Sequence, residues 1–370
     1  MKIKRVLRWS ALFILLLAVL ALLVAYVTST NNCDRISRFT GAGMKAVIRC
    51  DYGSPDALKV ADVQKPAPGP DEILVKVRAA SVNPLDWHMM EGTPYLMRIG
   101  TGLRKPTDVF LGVDYAGTVE RVGSNVTQFT PGDDVFGGRD GALAEYICVR
   151  ADHAVVRKPA AVTFEQAAAL PVAGVTALQG LRDKGRIAAG QKVLINGASG
   201  GVGTFAVQIA KSLGGEVTGV CSTKHIALVK SLGADRVIDY TKENFANSGV
   251  VYDLILDNVG TQPLSAFRHV LSPSGRYVAI GGGGTHDQGI TGPFPRILQA
   301  WLLSHFTHQK LGMMLAELNK RDLSFLAGMI ESGQLKPVID RDYKSLGQVA
   351  EAMRYLEQGH AAGKIIVNID

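Results

Sequence analysis

The chain has 370 residues, 47% of them hydrophobic and 20% charged, a globular composition that argues against wholesale disorder and is long enough for two domains. The formal net charge is +7, but Lys2, Lys4, Arg5, Arg8, Arg35 and Arg38 against Asp34 alone place +5 of it before Met44 and leave +2 for the rest. A nearly neutral body argues against a nucleic-acid binder, which needs Lys and Arg gathered on a folded surface.

The first element is the charge-free run "ALFILLLAVLALLVAYV", residues 11–27, behind a basic start. Its length as a helix is about 25 Å, just enough to span a bilayer. The expectation is a leader over residues 1–43 that anchors the protein in a membrane by one N-terminal helix. Two alternatives stand beside it. A cleaved signal would need a shorter apolar core and a better site than Val27-Thr28-Ser29, and a start at "MKAVIRCDYG", from Met44, would leave a cytosolic protein. Basic residues on both sides of the run only weakly favour the N-terminus inside, so the side on which the body lies stays open. Cys33, Cys50, Cys148 and Cys221 are far apart with no paired spacing, which argues against a disulfide framework and a zinc cluster and predicts mostly buried, small apolar side chains.

From Asp71, "DEILVKVRAASV" alternates as a half-buried strand does, and "DYAGTVERVG", "PGDDVFGG" and "ALAEYICV" follow as short strands between Gly and Pro turns. At Thr163 the texture changes. Thr163 and Gln166 stand at capping-box spacing before the alanine-rich "AAALPVAGVTALQGL", which predicts a long helix. Strands and helices then alternate: "KVLIN", "GVGTFAVQIAKSL", "EVTGVCS", "KHIALVKSLGA", "RVIDY", "YDLILDNV" and "GRYVAIGG" read as right-handed βαβ units on a parallel sheet. A helix at "SLGQVAEAMRYLEQG" and a strand at "GKIIVNI" close the chain.

In "INGASGGVGTFAVQIAK", Gly197, Gly200 and Gly203 recur every three residues between an apolar strand and an amphipathic helix. That pattern suits a dinucleotide: the backbone must turn tightly, admit a pyrophosphate to its N–H groups, and let the helix pack on the strand. The next strand begins with Glu216 and ends at Ser222, Thr223 and Lys224. No carboxylate stands there to hold a ribose 2′-hydroxyl, whereas hydroxyls and an ammonium can receive a 2′-phosphate, so NADPH is the expected cofactor.

The stretches "ASVNPLDWHMMEG", "LGVDYAGTVERVG", "GASGGVGTFAVQIAK", "LGADRVIDY", "LDNVG" and "GHAAGKIIV" together resemble the zinc-independent quinone oxidoreductases (zeta-crystallin-like) of the medium-chain dehydrogenase/reductase superfamily. The resemblance covers residues 44–370. It is closest to a subgroup of chloroplast-envelope quinone oxidoreductase homologues, alkenal/enone oxidoreductases and the mitochondrial reticulon-interacting reductase. It implies an α/β protein: a GroES-like, β-rich catalytic domain over residues 44–168, a Rossmann domain with a doubly wound parallel sheet over 169–310, and a return to the catalytic domain over 311–370. The cofactor contacts it implies are Ser199, Gly201 and Val202 in the loop, Ser222, Tyr240 and Asn258 after later strands, Thr176 and Gly281 beside the nicotinamide, and His360 and Ala361 near the C-terminus. A monomer or homodimer is implied as well.

Zinc members of that superfamily carry a cysteine within the segment matching "SVNPLDW" and a His-Glu pair where Val113 and Asp114 stand here, so no metal is expected. The resemblance then implies hydride transfer to a small, hydrophobic, electron-poor acceptor: a quinone or an α,β-unsaturated carbonyl. Asn83 and Asp86 match the family's "VNP-x-D" segment. Asn83 is the candidate for binding the acceptor oxygen, with Asp86 ordering the loop. Tyr95 is a candidate proton donor that no spacing argument prefers to Tyr115 or water. The segment 294–318, rich in Trp, Phe and Met, reads as a packed helix or a hydrophobic lid. Two other functions stay open, a 2-enoyl thioester reductase and a non-catalytic NADPH-binding sensor or scaffold.

Overall fold

The computed structural model describes residues 19–20, 23–31, 33–36, 41–280, 291–292 and 294–369. Residues 11–18 and 21–22 of the apolar run lie outside this set, as does Gly281. Among the described residues no helix is long and apolar enough to cross a membrane.

An antiparallel ribbon, β1 (Gly43–Arg49) and β2 (Leu58–Gln64), opens the described body with Met44 opposite Val63. The strands expected from the sequence begin only at Asp71, so this ribbon was passed over. Seven strands build the catalytic sheet: β3 (Glu72–Val82), β4 (Asp114–Val122), β5 (Asp134–Gly138), β6 (Tyr146–Arg150), β7 (Val155–Arg157), β14 (Ile339–Tyr343) and β15 (Lys364–Asn368). Their order is β14-β15-β3-β4-β5-β7, with β6 pairing β3. The last strand thus returns to the first half of the fold, antiparallel to β3 with Ile366 opposite Ser81.

The second sheet is parallel throughout, in the order β10 (Arg236–Asp239), β9 (Glu216–Cys221), β8 (Lys192–Asn196), β11 (Tyr252–Asp257), β12 (Leu271–Ile280) and β13 (Lys310–Met314). Chain order reverses between β8 and β11. That switch opens a crevice at the carboxyl ends of the strands, the usual ligand position in such sheets. Three of its strands run near-continuously apolar, as "VLI", "VTGV" and "LIL", because helices cover both faces.

Three sequence expectations need correction. The long helix after Thr163 is two helices, Phe164–Ala168 and Pro171–Gln179. Pro171 lacks the N–H that would continue the first and is well placed to begin the second. The Thr163–Gln166 capping box does form, with Gln166 N–H donating to Thr163 Oγ1 (3.3 Å) and Thr163 N–H to Gln166 Oε1 (3.1 Å). The segment 294–318 is helical only over Phe294–Phe306 and then becomes β13, the edge strand beside β12. The cysteines are the third correction. Cys33 and Cys50 form a disulfide with Cα atoms 5.7 Å apart, while Cys148 and Cys221 are buried thiols as expected. A rule built on repeated cysteine spacing does not see a single bond between residues 17 positions apart.

Candidate active site

The turn over residues 197–199 and the helix Gly201–Ser212 follow β8 directly. Gly197 has φ +77°, a left-handed value that a side chain rarely adopts. At Gly203 a Cβ would stand 2.0 Å from the carbonyl oxygen of Gly197, so only glycine lets the helix approach the turn this closely. Behind the loop, Phe205, Ala206, Ile209 and Ala210 are fully buried and fix the helix axis. The helix therefore presents its free N–H groups at the switch point, where a pyrophosphate is stabilised.

The other implied cofactor contacts gather at the same edge. Ser199, Gly200, Gly201 and Val202 follow β8, Ser222 follows β9, Tyr240 follows β10 and Asn258 follows β11. Asn258 Nδ2 donates to Asn196 O (2.9 Å), and its buried Oδ1 has no partner among the described residues. An orphaned acceptor and a glycine cradle are what a dinucleotide fills, so the residues present fit that cofactor. The loop holding Asn258 is built on Asp257, 1% exposed. Its carboxylate accepts from Asn196 Nδ2 (2.8 Å), the Tyr277 hydroxyl (2.7 Å), Arg296 (3.0 Å) and the N–H groups of Val259 and Gly260. Burial and that carboxylate push the Tyr277 phenol up. His360 and Ala361 precede β15, and His360 lies close enough to the His225 ring to act on its charge, which brings this turn near the end of β9.

At the end of β9 the hydroxyls divide. Thr223 Oγ1 donates to Asp239 Oδ2 at 2.5 Å, whereas Lys224 is exposed and Tyr240 is 57% exposed. Sequence reading found no carboxylate here. The structure brings Asp239 from β10, with Lys242 Nζ 3.6 Å from its Oδ2.

On the catalytic side, Asn83 and Asp86 open the helix Pro84–Glu91 and are each 2% exposed. Asp86 Oδ2 accepts from Asn83 N–H at 2.7 Å, which orders the turn. Burial first, and the negative charge of Asp114 second, push the Asp86 carboxyl up to about 7. Asn83 Nδ2 donates to Asp114 Oδ2 (3.0 Å), and its Oδ1 accepts from Lys364 Nζ (2.5 Å). Sequence reading missed both Asp114 and Lys364, although each lies inside a motif it quoted. Thr176 is buried in the helix Pro171–Gln179. That helix is fixed to the cluster by Val172 N–H, which donates to Asp114 Oδ1 at 2.9 Å.

Tyr95 is half exposed under the Arg98 guanidinium (4.7 Å to its ring), and no described hydrogen bond joins it to Asn83 or Asp86. Tyr115 is fully buried, with its hydroxyl 3.0 Å from where a Gly137 Cβ would lie and its pKa raised by burial. A proton donor cannot work from that core position, so Tyr115 is removed from the candidates. Among the described residues no three His, Cys, Asp or Glu side chains group as metal ligands.

Comparison with known proteins places this geometry. A family model described as "Alcohol dehydrogenase GroES-like domain" matches residues 69–160, and one described as "Zinc-binding dehydrogenase" matches residues 232–367. The chain is 36% identical to "Quinone-oxidoreductase QR1, chloroplastic" of Triphysaria versicolor, over 88% of this chain and 99% of that one. It is 34% identical to "NADPH-dependent alkenal/one oxidoreductase, chloroplastic" of Arabidopsis thaliana, over 88% and 79%. The solved quinone oxidoreductase from Coxiella burnetii superimposes with a TM-score of 0.78 at 30% identity, covering 89% of this chain and all of that one. With its catalytic sheet, its parallel nucleotide sheet and its glycine loop, the chain belongs to the quinone oxidoreductase family of the medium-chain dehydrogenase/reductase superfamily.

Proposed function

We propose that the chain is an NADPH-dependent reductase that delivers hydride to quinones or to the β-carbon of α,β-unsaturated carbonyls. One observation carries the reading: Gly201 of the nucleotide loop packs directly against the side chain that holds Asn83, so cofactor and acceptor sites share one crevice. The names of the relatives, quinone oxidoreductase and alkenal/one oxidoreductase, supply the acceptor class.

The bound cofactor supplies the hydride. The chain's own residues do the rest. N–H groups at the start of the Gly201–Ser212 helix bind the pyrophosphate, and Ser222, Lys224 and Tyr240 line the place of the 2′-phosphate. Asn83 has both ends of its amide engaged and one N–H left, which donates to the acceptor oxygen as negative charge develops there. Asp86 holds the turn that aims Asn83. The resulting oxyanion takes its proton from Tyr95 or from water entering beside it.

The test is NADPH and NADH oxidation by the purified protein against a panel of quinones, enones, enals and 2-enoyl thioesters. Turnover of quinones or enones with NADPH supports the reading. Turnover confined to thioesters replaces it with the thioester reductase, and tight NADPH binding without turnover replaces it with a sensor or scaffold. Anchoring through residues 11–27 belongs to the same proposal and rests on the charge-free run; full-length protein that stays in the soluble fraction after cell breakage overturns it.

A further inference from the structure

We propose that Lys364 is a positioning residue for the reduction, a buried cation that locks the substrate turn, the Thr176 helix and the nucleotide loop to one another. The inference rests on the reading above. Lys364 is 4% exposed and opens β15, the strand that brings the C-terminus back beside β3. Its ammonium has three donors, and each is used: Asn83 Oδ1 at 2.5 Å, Asp114 Oδ2 at 3.3 Å and Val82 O at 3.4 Å. Asp114, fully buried, also accepts from Ser81 Oγ (2.7 Å) and Asn83 Nδ2 (3.0 Å), and with its other oxygen from Val172 N–H (2.9 Å). The aliphatic stem does something different. A Cβ on Gly201 would stand 3.0 Å from Lys364 Cδ, so the stem lies against the first residue of the phosphate-binding helix.

A buried lysine needs an anion to offset its desolvation, and Asp114 supplies one. Charge balance alone does not explain the rest. The shortest contact of the ammonium is with the neutral amide of Asn83, not with the carboxylate. Fixing Oδ1 from one side while Asp114 fixes one N–H from the other leaves the amide a single orientation, and so directs its remaining N–H. One side chain thereby sets the distance between the acceptor-binding amide and the nucleotide loop, and small errors in that distance slow a transfer between aligned groups.

The experiment compares wild type with Lys364→Met and with Lys364→Met/Asp114→Asn. Methionine keeps the stem against Gly201 and removes the charge; the double variant removes both charges. Read-outs are the melting temperature, the Kd of NADPH, and kcat and KM with the best acceptor of the wild type. The single variant is expected to melt lower, because Asp114 is left as an unpaired buried charge. Both variants should lose about 10-fold or more in kcat while the Kd of NADPH stays within about 3-fold, and the double should regain melting temperature but not kcat. If the single variant does not fold, the double carries the test. A double variant that regains kcat along with stability overturns the proposal and makes Lys364 only a counter-ion. One that does not fold overturns it too, because the pair is then required by the fold. Absence of turnover in the wild type is a separate result, which removes the reading underneath.

Discussion

The hydroxyl of Thr223 donates its proton to Asp239 at 2.5 Å and so has none left for a phosphate. Asp239 also takes the hydroxyl (2.7 Å) and the N–H (3.1 Å) of Thr241, and these bonds, Thr223's first, hold its carboxyl down at about 2. It stays charged at any working pH, and Lys242 faces it. Under the proposed function, recognition of the 2′-phosphate is expected to fall to Ser222, Lys224 and Tyr240. Lys224→Gln is expected to raise the KM for NADPH about 10-fold and leave that for NADH unchanged, since one charge-assisted contact is worth about 1.4 kcal/mol or more. Thr223→Val should leave the ratio of the two cofactors within about 2-fold. Initial rates with both cofactors check the pair, and the opposite ranking of the two variants would return Thr223 to the phosphate site.

Asp86 makes stability fall with pH. Its folded pKa is about 7, above the unfolded value of 3.8, so between the two the folded chain binds more protons than the unfolded one. Stability then declines as pH rises from about 4 to about 7 and levels off above. Asp86→Asn removes the titration and keeps an acceptor for Asn83 N–H. Its melting temperature, measured from pH 5 to 8, should fall less than that of the wild type, with the gap between the two curves moving in favour of the variant towards pH 8. Parallel curves would show that Asp86 is not the group responsible.

The Cys33–Cys50 bond closes a loop of 17 residues and fixes the segment that follows the apolar run to the end of β1; Asn31 Nδ2 adds a bond to Cys50 O at 2.6 Å. The unfolded, unreduced chain should show two reactive thiols, Cys148 and Cys221, and four after reduction. Cys50→Ala should cost about 3 kcal/mol by the loop-entropy relation, measured by denaturant unfolding without reductant. Four thiols before reduction would mean that the bond does not form.

The parallel sheet was legible because it needs little tertiary information. Apolar strands, glycine punctuation and amphipathic helices recur locally, as in "KVLIN" before the glycine loop. β13 was not legible: "KLGMM" follows a helix with the same apolar texture, and only pairing with β12 makes it a strand. The ribbon β1–β2 escaped for a related reason, since β2 is mostly half-exposed or exposed and shows no clean alternation. In the site, the glycine loop was read from its spacing between a strand and a helix, whereas Asn83 and Asp86 came from the family resemblance. Lys364 and Asp114 stand 250 positions apart and become partners only when β15 returns beside β3. Likewise, the bond from Thr223 to Asp239 joins the ends of neighbouring strands and was not visible in the local sequence.

Gly200 and Gly203 separate cofactor binding from folding within one loop. A Cβ at Gly203 would meet Gly197 O at 2.0 Å and Ala198 main-chain atoms at 2.8 Å, so Gly203→Ala must move the helix off the turn. The expected cost is about 3 kcal/mol, with NADPH binding lost alongside. Gly200 caps the same helix in extended geometry (φ −77°, ψ 178°), and its nearest neighbour to a Cβ is Gly197 O at 3.6 Å. Alanine fits there at a cost of less than about 1 kcal/mol, which is the difference between cap residues. The new methyl would instead occupy space beside the helix N–H groups, where the pyrophosphate approaches. Gly200→Ala should therefore melt close to wild type yet bind NADPH about 10-fold more weakly by fluorescence titration. Wild-type affinity in a folded Gly200→Ala variant would place the pyrophosphate away from this turn, and the site would then have to be rebuilt around Asn258 and the end of β11.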